Sequence, residues 1–66
     1  MDLNTLPKTK QENGEMTFGP LTEKQYQEVK AYLWPLGVGY HAELVDKKSY
    51  LVITNSKQLA RGGIVL

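Results

Sequence analysis

The sequence contains no cysteine, which excludes a disulfide staple and any thiolate zinc site and points to a reducing, intracellular setting. It has one histidine, His41, so a metal or catalytic cluster has no second imidazole to draw on. An excess of one charge is also missing. Eight basic and seven acidic residues leave a net +1, a balance that announces neither nucleic acid, nor a membrane surface, nor an acidic substrate. Long apolar runs are absent as well. The densest, residues 32–40, is interrupted by Pro35, Gly37 and Gly39 and falls far short of the roughly 20 residues that span a bilayer. Residues 1–7 lack the basic segment and apolar run of a secretory signal, so a cytoplasmic protein without a membrane segment is expected. No internal repeat or low-complexity tract is present.

A chain of 66 residues makes one domain, and at this length folding buries only about 60% of the unfolded surface. Stability is therefore marginal, and in the absence of disulfides or a metal the usual supplement is association with a partner or with itself.

What is present reads as an α+β domain over residues 16–66 behind a flexible tail, residues 1–15. The tail holds only Met1, Leu3 and Leu6 as large apolar groups among polar residues. Residues 16–18 suit a short strand closed by the breaker Gly19-Pro20. Thr22 with Gln25 three residues on forms a capping box. Tyr26, Val29, Leu33 and Leu36 then recur at helical spacing, with Glu23, Lys24, Gln27, Glu28 and Ala31 opposite. Pro35 disfavours helical geometry at Trp34, so the helix stops near Leu33.

Two strand-like runs, residues 40–45 and 50–54, flank a turn at 46–49 and predict a hairpin in which Val45 opposes Tyr50. Leu44 then meets Leu51 and Ala42 meets Ile53 on an apolar face, leaving His41, Glu43 and Val52 on a mixed one. Residues 55–61 form a short helix capped by Asn55 or Ser56 and closed by Gly62 in left-handed geometry. Ile64, Val65 and Leu66 suit a last strand or an edge offered to another subunit. The expected fold is one main helix packed on a small antiparallel sheet, in the order (β)αββα(β).

No motif carries chemistry. His41 and Glu43 share a strand face, but no nucleophile or second histidine accompanies them. The carboxylates are scattered over tail, helix and hairpin. Gly62-Gly63 and residues 37–39 do not continue as a phosphate-binding loop. No catalytic residue, metal site or cofactor is expected, and so no enzyme.

Aromatic residues make 9% of the chain. Tyrosine and tryptophan bring large contact area at low entropic cost. The favoured expectation is a non-catalytic protein-binding module, a small inhibitor or accessory protein of the kind carried by phages or mobile elements. Its contact surface is read as Tyr32, Trp34, Tyr50 and the Ile64, Val65, Leu66 edge, with homodimerisation as one use. The alternative is nucleic-acid binding through Lys47 and Lys48 at the hairpin tip and Lys57 and Arg61 on the second helix. A lesser alternative is sequestration of a small nucleotide between subunits.

Overall fold

Thr22 and Gln25 set the start of the longest helix. In the computed structural model, which describes residues 3–64, Thr22 caps α1, Glu23–Leu33. Its Oγ1 accepts from the Gln25 backbone N–H at 3.1 Å, and the Gln25 side chain accepts from the Thr22 N–H at 3.0 Å. The box satisfies two donors that a helix start leaves without partners. Val29 and Leu33 are buried and Tyr26 half-buried, while Glu23, Lys24, Gln27, Glu28 and Ala31 are exposed. Leu36 does not extend the buried stripe: Pro35 diverts residues Trp34–Leu36 into a 3-10 turn and leaves Leu36 41% exposed.

The strands are β1 (Lys8–Lys10), β2 (Glu15–Leu21), β3 (Tyr40–Val45) and β4 (Ser49–Asn55). They form an antiparallel sheet in the order β1-β2-β4-β3, which makes β1 and β3 its edges. With α1 and the short α2, Ser56–Arg61, the domain is α+β, in the order ββαββα. Both helices lie against β4.

Residues 3–15, expected as a tail, take part in this fold. Leu3 and Leu6 are buried in the core, and β1 pairs with β2 through Lys8↔Phe18 and Lys10↔Met16. Backbone pairing holds a Lys-Thr-Lys segment whose side chains carry no apolar signal. Gly19-Pro20 does not end β2 either. A register shift between Phe18 and Leu21 accommodates the pair, after which Leu21 faces Tyr50. Such a bulge is where a strand tolerates a residue without an N–H.

The hairpin forms, one residue out of the expected register. Val45 faces Ser49, Leu44 faces Tyr50 and Ala42 faces Val52, around a three-residue turn in which Asp46 and Lys47 adopt φ of 60° and 63°. The left-handed pair supplies the twist that hairpin strands need, and a one-residue slip exchanges the faces of a strand. Tyr50, Val52 and Thr54 therefore point toward the helices, whereas Leu51 and Ile53 share the outer face with His41 and Glu43. Buried Thr54 donates its hydroxyl to the Gly39 carbonyl at 2.6 Å, and the Gln58 side chain accepts from the Gly39 N–H at 2.8 Å. β4 and α2 together thereby hold the start of β3.

Asn55 caps α2, accepting from the Lys57 N–H at 2.8 Å. The left-handed residue that closes α2 is Gly63, φ 84°, and not Gly62, φ −81°. The Ile64 N–H reaches Leu59 O and the Gly63 N–H reaches Ala60 O, the paired bonds of a Schellman motif. That motif turns Ile64 inward, and Leu59 and Ile64 are both buried in the core. Ile64 is not in a strand; Val65 and Leu66, the rest of the expected terminal strand, lie outside the described residues. Among the described residues, no helix is long and apolar enough to cross a membrane.

Candidate docking face

Pro35 creates the most exposed large hydrophobic side chain among the described residues. By ending α1 at Leu33, it leaves Trp34 at the helix C-cap with 80% of its surface in solvent. Gln27, Lys30, Ala31 and Trp34 follow one another at helical spacing on a face turned away from the buried stripe. With Pro35 and Tyr40 they line an open groove of about 570 Å³ between α1 and β3.

Tyr40 forms the sheet side of this groove and belongs to the edge strand. Burial, and secondarily the neighbouring Tyr26 phenol, raise its pKa above the ordinary tyrosine value, so at neutral pH it is an uncharged donor. Behind it Tyr26 and Tyr50 stack with centroids 4.3 Å apart and planes 5° from parallel, and Lys30 Nζ lies 5.0 Å from the Tyr26 centroid. This stack ties the helix to β4, and the lysine adds a cation–π contact at the groove's margin. The groove is thus aromatic and aliphatic with one cation, a composition suited to an apolar side chain flanked by polar or acidic groups.

The two edges of the sheet are protected differently. β1 carries Lys8 and Lys10, the charged edge with which sheets discourage pairing, whereas β3 reads Tyr-His-Ala-Glu-Leu-Val and holds no lysine. Beyond the groove β3 presents Leu44, 58% exposed, and Val45, 38% exposed. α1 lies over β4 and β2 rather than over β3, which is why the helix-side face of this edge stays open.

The residues singled out from sequence divide accordingly. Trp34 is exposed at the groove. Tyr32 is half-buried against the core, and Tyr50 is half-buried with its ring on Tyr26. Ile64 is in the core; Val65 and Leu66 lie outside the described residues. The sequence alone does not mark Tyr40, Lys30 and Leu44 as protein contacts. The helical spacing from Gln27 to Trp34 was a readable signal, but Tyr40 and Leu44 join the face only through the hairpin register.

Lys47, Lys48, Lys57 and Arg61 are all exposed. The first two precede β4 and the last two follow it, so a seven-residue strand separates the pairs, a span of roughly 20 Å. They do not make one continuous patch. His41 Nε2 and Glu43 Oε1 are 3.4 Å apart on the outer face, with side chains 70% and 52% exposed. They stand in open solvent rather than in the groove, on the same side as half-buried Leu51 and Ile53. A polar recess at the β1–β2 turn contains Glu12 and Glu15, but Asn13 already holds the Glu15 carboxylate at 2.6 Å. Among the described residues, no group of three or more histidine, aspartate or glutamate side chains is placed to hold a metal ion.

No protein-family model, no curated protein and no solved structure matches this chain.

Proposed function

We propose that the chain is a non-catalytic protein-binding module, a small inhibitor or accessory protein that acts by docking the Trp34 groove and the β3 edge onto another polypeptide. The observation that carries this reading is Trp34 itself, 80% exposed beside a groove and an edge strand. Contiguous apolar exposure of this kind marks interaction sites, and tryptophan is among the residues that dominate binding energy when an interface closes over them. Leu36, 41% exposed, follows Trp34 by two residues, and Leu44, 58% exposed, belongs to the same edge strand as Tyr40. A cytoplasmic setting goes with this reading and rests on the cysteine-free sequence.

Truncating Trp34 tests it. Affinity capture with the wild-type chain, followed by reconstitution of the captured protein with purified chain, supplies a measurable Kd. Trp34→Ala should weaken that Kd by about 30-fold or more, the scale of a tryptophan hot spot, while leaving the thermal midpoint within a few degrees because the ring is not in the core. Equal affinity of the two chains would refute the reading.

A further inference from the structure

We infer that one partner of this face is a second copy of the chain, joined edge to edge through antiparallel pairing of β3 with β3 about a two-fold axis at Ala42. The inference rests on reading the Trp34–β3 face as a docking surface, and it names the occupant.

The pattern of β3 selects both the partner and the register. Two identical strands related by a two-fold axis perpendicular to the sheet pair residue i with residue j such that one residue faces its own copy. Centred on Glu43, the pairing sets carboxylate against carboxylate; centred on His41, it sets imidazole against imidazole and leaves Glu43 opposite Gly39. Centred on Ala42, a small residue meets itself at the axis, and His41 faces Glu43 of the second copy, twice. His41 already lies 3.4 Å from Glu43 in its own strand. The seam therefore gathers two imidazoles and two carboxylates in alternation on the outer face. An imidazole N–H facing a carboxylate across a strand pair stabilises it by hydrogen bonding, and like charges facing each other oppose it.

The helix-side face agrees with this register. Tyr40 faces Leu44 of the second copy, also twice. Leu44, 58% exposed in the single chain, is thereby set against the ring that walls the Trp34 groove, so each copy offers one groove and one apolar side chain to fill it. α1 lies over β4 and β2, leaving the space above β3 open for the seam. The lysine-bearing β1 edges remain at the outside of an eight-stranded sheet, counted from the four strands of each copy, where they discourage further growth.

Sedimentation equilibrium on the full chain, with circular dichroism to verify folding, tests this. The wild type should show twice the monomer mass at micromolar concentrations. His41→Glu and Glu43→Lys should each weaken the dimer by at least about 10-fold, because each substitution acts twice across the axis, and the double variant H41E/E43K should recover it by setting opposite charges against each other in the same register. Leu44→Asp should dissociate the dimer without unfolding the chain. A wild type that stays monomeric into the millimolar range overturns the inference, as does a dimer indifferent to both single charge variants. In either case Trp34-dependent binding of a different protein would still uphold the docking reading, whereas a charge-dependent dimer that ignores Trp34→Ala would leave the seam and remove the groove from it.

Discussion

Phe18→Ala should leave little folded protein at 25 °C. Phe18 is wholly buried and faces Val52 across β2 and β4, in a core that also holds Val29 and Leu33 from α1. Removing the ring forfeits its transfer energy and opens a cavity where sheet and helix meet, a combined cost of about 3–5 kcal/mol. A domain of 66 residues has roughly 3–10 kcal/mol of stability in all, so the loss is comparable to the whole. Urea unfolding followed by circular dichroism should find the variant's transition displaced to very low denaturant or absent. A destabilisation below about 1 kcal/mol would mean that Phe18 does not occupy the centre of the core.

Gly19→Ala should be nearly as damaging, through sterics rather than lost burial. Gly19 sits at the β2 bulge with φ 138°, and a Cβ there would come within 2.6 Å of the Tyr50 carbonyl oxygen and 2.7 Å of Leu51 Cδ2. The leucine tip can rotate aside. The carbonyl cannot, because it belongs to the β4 backbone paired with this segment. Backbone strain of about 1–3 kcal/mol adds to an overpacking cost of about 1–3 kcal/mol. Gly63→Ala is the control: φ there is 84°, but a Cβ meets nothing within 4 Å, so only the left-handed penalty of about 1–2 kcal/mol applies. Equal loss of stability in the two variants would contradict the close approach at the bulge.

These two residues mark a boundary between what was readable and what was not. Local chemistry was readable: the Thr22–Gln25 box and Pro35 bracket α1 because caps and prolines act within a few residues of themselves. The hairpin was readable as an element from its two β-rich runs. Its register was not, since pairing Leu44 with Leu51 looks at least as apolar as the observed pairing with Tyr50, and the choice lies with the turn, where Asp46 and Lys47 adopt left-handed conformations that residue type does not announce. The contribution of residues 3–15 was hidden for a different reason. Leu3 and Leu6 are two leucines in a polar segment, and they become core residues only against a surface assembled from distant parts of the chain. Trp34 was legible as a contact residue from its type and its place before Pro35, but the groove wall needed Tyr40, which arrives from β3 only once the hairpin is docked.

The register has a functional consequence too. Had Leu51 and Ile53 faced the helices, Tyr50 would stand on the outer face, free for contact as the sequence implied. Instead it stacks on Tyr26, and the surface open to partners contracts to Trp34, Tyr40, Leu44 and the β3 edge. The account turns on whether this surface is open in the free chain and covered in the bound one. Trp34 is the single tryptophan, so intrinsic fluorescence reads its surroundings without labelling. In dilute solution of the isolated chain the emission should be red-shifted and readily quenched by iodide, and it should shift to the blue and gain protection as copies or a partner bind. An emission already blue and shielded in the dilute monomer, or one that no association alters, would contradict the assignment of this face.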